Sequence, residues 1–396
     1  MIYKLENTIQ DYVWGCPESM LKLFNIENSE KKPMAELWMG AHPKAPSSLI
    51  GHQKYQSLLD YISIDVEVLG EASQNTFGSG LPFLFKVLSA DLPLSIQAHP
   101  DKAQAEAGFK RENALGLPLN AANRNYRDPN HKPELVYALT PFKAMNGFRQ
   151  VKEIVSLFRM ANISALTEAL DKLDNSPNES GLKLFYQTIM TLKGQQKENL
   201  IKEAFEYSKQ SDVEAWKEVC CLHEYYPGDI GVLSPLLLNL VTLSPGDAMF
   251  LKAGTLHAYL KGTALEIMAC SDNVLRGGLT KKHVDIEELL KTIDFGSTSE
   301  DQLLLEPTNT NNGELLFKAP VNDFCMSIIT PEESPEPFCI NSAEILFSIK
   351  GSQEIICDNG EQLILHKGES CFISAKSKQF SVTGSGQLAR ANSIIH

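Results

Sequence analysis

Leu243-Ser-Pro-Gly-Asp-Ala-Met-Phe-Leu-Lys-Ala-Gly-Thr-Leu-His257 returns in outline as Leu365-His-Lys-Gly-Glu-Ser-Cys-Phe-Ile-Ser-Ala-Lys-Ser-Lys-Gln379. Each copy has a Gly-acid turn, a short apolar strand through Phe250 or Phe372, then an alanine and a second turn. This is the cadence of a double-sheet jelly roll, in which antiparallel sheets close around a pocket. The copies differ at their ends, with histidine at 257 and glutamine at 379. The first is expected to keep a metal ligand there, and the second to be metal-free with a structural role.

Working outward from the repeat, residues 1–149 read mainly as short strands and turns, punctuated by Gly, Pro, Asn and Asp. One helix is expected after Asp101, with that residue as its N-cap. From about Val151 to Tyr226 the texture changes. Ile154, Leu157, Phe158 and Ala161 recur at helical spacing, as do Leu200, Ile201, Ala204 and Phe205. Proline nearly vanishes over the same span, and strand texture returns after Pro227. The chain is therefore expected to be mainly β with an inserted α domain. Residues 1–149 and 228–312 would form a cupin-type jelly-roll catalytic domain, 150–227 a helical insert, and 313–396 a second cupin-like jelly roll.

At 396 residues the chain is long enough for two or three such domains, each with its own core. The net charge of −13 argues against nucleic acid as a partner. It does not exclude a phosphorylated ligand, because net charge governs steering and solubility and says little about one pocket. No apolar run approaches the roughly 18 residues of a membrane span, and the N-terminus lacks signal-peptide pattern. The eight cysteines include no Cys-x-x-Cys, so no thiolate zinc or redox motif is offered. A monomer in the cytoplasm is the expectation.

Leu94-Ser-Ile-Gln-Ala-His99 alternates cleanly, placing Ser95, Gln97 and His99 on one face of a strand. A wall between core and polar cavity looks like this, and Gln97 and His99 have the spacing of two ligands from one strand. Tyr126-Arg-Asp-Pro-Asn-His-Lys-Pro-Glu134 holds His131, Lys132 and Glu134 on a backbone stiffened by two prolines. Gln97, His99, Glu134 and His257 make a mixed nitrogen and oxygen donor set. Such a set suits Zn²⁺ or another first-row divalent ion better than calcium or magnesium. Lys86, Lys132, Arg276 and Lys282 lie in segments leading toward it. Arg276 precedes two glycines and follows Glu266 and Asp272.

The chain closely resembles the type I mannose-6-phosphate isomerases, a family of cupin-fold zinc enzymes. The resemblance runs from Tyr12-Val-Trp-Gly15 and Glu36-Leu-Trp-Met-Gly-Ala-His-Pro43 through Gln97-Ala-His99 and Tyr126–Glu134 to Ser271-Asp-Asn-Val-Leu-Arg276. It implies one zinc ion on Gln97, His99, Glu134 and His257, and a catalytic Arg276. Ser95 and Lys86 match positions implicated in holding a phosphate, and Lys132 and Glu266 match polar residues of the pocket. Lys252 and Lys281 stand where the family has prolines, and the second leaves the placement of Lys282 open.

The implied reaction interconverts mannose 6-phosphate and fructose 6-phosphate through an enediol. Glu266 is the first choice of base, with His131 and Lys132 as alternatives. Two other readings are a metal-dependent cupin oxygenase and a non-catalytic sugar-binding cupin.

Overall fold

The two copies of the repeat fold alike. In the computed structural model, which describes residues 1–52, 54–310, 312–332 and 336–394, Ser244 N–H donates to Asp247 Oδ2 at 2.8 Å. His366 N–H donates to Glu369 Oε2 at 2.9 Å in the same way. The glycine inside each turn has positive φ, +103° at Gly246 and +86° at Gly368, a conformation any other residue adopts only with strain. Strands Ala248–Leu251 and Ser370–Ile373 follow the turns. His257 and Gln379, aligned in sequence, each open a long strand, His257–Ala269 and Gln379–Asn392.

Among the described residues these long strands organise two ten-stranded sheets. In the first, Gln379–Asn392 pairs along nearly its whole length with Glu344–Cys357, and Glu344–Cys357 pairs in turn with Ser370–Ile373. The next strand in that sheet comes from the other end of the chain. Ile2–Glu6 runs antiparallel to Ser370–Ile373, with Ile2 opposite Ile373, and Ser48–Leu49 continues the order. Residues 1–149 thus contribute strands to both sheets.

The second sheet is built on His257–Ala269. Its first residues pair with Ile96–Ala98 and Phe142–Phe148, and the remainder with Phe83–Ala90 and Glu134–Ala138. A register shift between Tyr259 and Lys261 marks the crossing, as a bulge bends a strand and re-aims its side chains. One strand can therefore line two walls of a pocket. A shared apolar core packs the sheets together, with Phe85, Val87, Leu135 and Ile267 of one among Met326, Ile328, Ile345 and Phe372 of the other.

Helices Val151–Ala161, Thr167–Asn175, Glu179–Thr191, Gly194–Ser208 and Glu214–Tyr225 occupy the span read as helical. Ile154, Leu157, Phe158, Leu200, Ile201 and Ala204 are buried in their core, which extends to Ile96, Ala98 and Leu275 of the second sheet. The helix after Asp101 is Lys102–Ala114. Asp101 accepts from Gln104 N–H, and the Gln104 side chain returns the bond in a capping box. Helices Ser19–Phe24, Leu58–Ile64, Glu71–Phe77 and Ile286–Thr292 lie in segments read as strand and turn. Six or seven residues give too few repeats of a helical period to register in sequence.

Candidate active site

Two rows of side chains meet at the crossing strand. Residues directly opposite in an antiparallel pair project from the same face. Gln97 stands opposite His257 on one side and Arg276 on the other, giving a row His257–Gln97–Arg276. Farther along the same long strand Glu266 is opposite Lys86, and Lys86 is opposite Trp38.

His99, Glu134 and His257 converge where the rows come together. One ligand atom from each lies within 4.8 Å of the others, and all three residues are buried. His99 Nε2 is 3.1 Å from Glu134 Oε1, and His257 Nε2 is 3.5 Å from Glu134 Oε2. The outer ring nitrogens are both engaged by main-chain carbonyls. His99 Nδ1 is 2.8 Å from the Asn273 oxygen, and His257 Nδ1 is 2.9 Å from that of Thr255. A carbonyl only accepts, so each Nδ1 carries a proton, and Nε2 is the nitrogen each ring offers to a metal. Burial, then the Lys132 charge, pushes His99 down to about 4, so its ring is neutral. Burial alone would raise Glu134. The Lys132 ammonium, with Nζ 2.8 Å from Oε1, leads the contacts that outweigh it and hold the carboxyl well below its usual range. Tyr259 donates its hydroxyl to Oε2 at 2.7 Å. Two imidazoles and an ionised carboxylate fit a divalent cation.

Gln97 borders the same space as Glu134 and His257 and donates to Ser95 Oγ at 3.2 Å. The motif carrying Lys132 and Glu134 is held by more than its prolines. Asn273 Oδ1 accepts from Arg127 N–H at 2.6 Å, and its amide donates to the Asp128 and Asn130 carbonyls at 2.8 and 2.9 Å. One asparagine therefore orients His99 through its main chain and fixes the motif through its side chain.

Beside the cluster, Lys86 Nζ lies 2.8 Å from Glu266 Oε2 and 3.8 Å from Glu36 Oε1, over the Trp38 ring. Burial raises the Glu266 carboxyl above its ordinary value, against the opposing charge of Lys86. Burial works to discharge Lys86, but Glu266 and Glu36 overcome it and keep the ammonium charged.

A cleft of about 420 Å³ opens outward from here, lined by Tyr12, Ser95, Gln97, Tyr226, Arg276 and Lys282 among others. Arg276 is lowered by burial and then by the nearby Arg127. Lys282 is lowered by burial, Arg276 and Arg127. Cations that depress one another in a half-buried cleft make a receptor for an anion.

Lys86 lines the same cavity as Ser95, Gln97, Glu134 and His257, its ammonium held by Glu266 and Glu36. His131 does not join the cleft. Its Nε2 faces Asp323 Oδ2 at 3.0 Å, and it lines a separate surface depression with Lys102 and Cys270. Prolines on both sides let neighbouring residues 131 and 132 face opposite ways. Sequence reasoning left Arg127 unassigned, although it sits inside the quoted motif.

The chain is 44% identical to the mannose-6-phosphate isomerase of Salmonella typhimurium over 389 residues, which is 98% of each. It belongs to the mannose-6-phosphate isomerase family. The human mannose-6-phosphate isomerase is 35% identical, with 89% of this chain and 88% of the relative covered. Residues 2–151 match the model of the phosphomannose isomerase type I catalytic domain, and residues 314–393 that of the mannose-6-phosphate isomerase cupin domain. A solved zinc-bound mannose 6-phosphate isomerase superimposes with a TM-score of 0.94 at 44% identity, covering 100% of both chains. An apo form from Salmonella typhimurium gives 0.93 at 44%, covering 100% of this chain and 99% of that one. The mainly β, cupin-type fold is as expected for this family, and the oxygenase and non-catalytic readings are not favoured by it. No helix among the described residues is long and apolar enough to cross a membrane.

Proposed function

We propose that the chain interconverts D-mannose 6-phosphate and D-fructose 6-phosphate, with one zinc ion held by Gln97, His99, Glu134 and His257. The observation that carries this reading is an imidazole and carboxylate cluster at a cavity that shares its Ser95 and Gln97 wall with the cleft bearing Arg276 and Lys282. Bound at the base, the ion supplies positive charge to a sugar oxygen that gains electrons in the transition state.

Lys282, with Ser95, binds the phosphate, and Arg127 adds to the field there. Arg276, beside Gln97 in the cross-strand row, polarises a second sugar oxygen and stabilises the enediolate. Glu266 takes the proton from carbon 2 and returns it to carbon 1, and Lys86 at 2.8 Å keeps that carboxylate aimed. Lys132, anchored on Glu134, lies within 3.5 Å of His99 Nε2 and presents charge to the same end of the sugar. The reading takes residues 150–227 as an insert in the β domain that carries the site, and the working unit as a monomer.

Incubating the purified protein with mannose 6-phosphate and assaying fructose 6-phosphate tests the whole. Turnover should disappear on chelation and return on adding zinc. Activity unaffected by exhaustive chelation would remove the metal from the mechanism. Arg276→Ala should lower kcat/KM by about 10²–10³ while zinc content stays at one per chain. Full activity in that variant would return Arg276 to the status of a surface charge.

A further inference from the structure

Three main-chain N–H groups end on one carboxylate outside the reaction centre. Asp229 Oδ1 accepts from Gly231 at 2.7 Å and from Leu279 at 3.0 Å, and Oδ2 accepts from Thr280 at 3.1 Å. Asp229 lies four residues beyond the end of the last helix of the α region, Glu214–Tyr225. Leu279 and Thr280 belong to the turn between Arg276 and Lys282, and both line the cleft.

That turn needs holding. Leu279 sits at φ +53°, which is disfavoured for a side chain branched at Cγ and persists only when its surroundings impose it. The two segments also touch backbone to backbone. A Cβ on Gly231 would stand 2.7 Å from Leu279 N, and one on Gly278 would stand 2.7 Å from Gly231 Cα. Three residues before Asp229, Tyr226 donates its hydroxyl to the Pro93 carbonyl at 2.7 Å, next to the Leu94–Ser95 wall of the same cleft. The end of the helical region therefore grips both walls of the cationic mouth.

We propose that Asp229 is a positioning residue for phosphate recognition. It braces the turn at Leu279 and Thr280 so that Lys282, just beyond it, faces the phosphate, and this is how the segment leaving the helical insert serves the site. The inference rests on the functional reading above. Asp229 touches no substrate atom; it acts through the turn. Removing the brace frees a loop whose ordering must then be supplied by the ligand, so the loss falls on binding.

The test uses full-length, zinc-loaded protein. In Asp229→Ala, KM for mannose 6-phosphate and the inhibition constant of inorganic phosphate should both rise about tenfold. The same variant should keep kcat within about threefold and its zinc content unchanged. Asp229→Asn retains Oδ1 for Gly231 and Leu279 but offers Thr280 a donor, so its constants should fall between. Wild-type KM and phosphate inhibition in Asp229→Ala, or a loss confined to kcat, would overturn the proposal. If Asp229→Ala does not fold, Asp229→Asn decides by the same two constants. If the wild type does not turn over mannose 6-phosphate, the functional reading fails separately. Calorimetric titration with inorganic phosphate then tests the brace, and equal affinity in wild type and Asp229→Asn overturns it.

Discussion

Glu266→Gln is expected to cut turnover by about 10²–10⁴ with zinc content and fold intact. Glu266 is opposite Lys86 on the strand that also carries His257, so its carboxylate faces the cavity that the imidazoles face. Glutamine keeps the shape and can still accept from Lys86, so the change removes little besides the ability to take a proton. Burial places the carboxyl above the ordinary 4.5 of a glutamate, nearer the working pH of a base. A base must be ionised to act, so the rate should fall as pH drops through that raised value, and the acid limb should vanish in the variant. Steady-state kinetics across pH measure both. An unchanged rate would pass the role to Lys132, since His131 faces away from the cavity.

Glu344→Ala should destabilise the C-terminal sheet by about 3–5 kcal/mol. Arg390 Nε and Nη2 donate to the two Glu344 oxygens at 2.7 and 2.6 Å, and Nη1 donates to Glu314 at 3.1 Å. Glu344 and Arg390 are 0% and 7% exposed. Deleting the carboxylate leaves a guanidinium that cannot lose its proton in a place without water. The remaining carboxylate, Glu314, contacts a single nitrogen and cannot replace a two-point pair. Replacing both partners, as in Glu344→Ala with Arg390→Met, should recover part of the loss, because the stranded guanidinium is gone and Glu314 keeps the Ser327 hydroxyl. Thermal and urea unfolding of both variants give the comparison. A single variant melting with the wild type, or a double variant worse than the single, would refute the account.

The sequence was most legible where spacing alone fixes geometry. The Gly-acid turns of the two repeat copies, the alternation that put Gln97 and His99 on one face, and the cap at Asp101 each depend on a few adjacent residues. The placement of Lys86 was not legible, because its partners Glu36 and Glu266 lie on other strands and a lysine's pairing is decided across the sheet. His131 shows the same limit at shorter range. Nothing local tells which of two consecutive side chains turns inward when Asp323, almost two hundred residues away, is what the outer one meets. Arg127 looked like an ordinary charge until the fold brought it up to Arg276 and Lys282.

The strand Ile2–Glu6, paired with Ser370–Ile373, has a consequence for how the molecule is made. At a synthesis rate of about 5–20 residues per second, the first strand emerges some tens of seconds before its partner exists. During that interval its unpaired edge is free, and the apolar side of Leu5 has no sheet to enter. The last sheet cannot close until the chain's beginning is returned to it, so the order of synthesis and the order of assembly run in opposite directions.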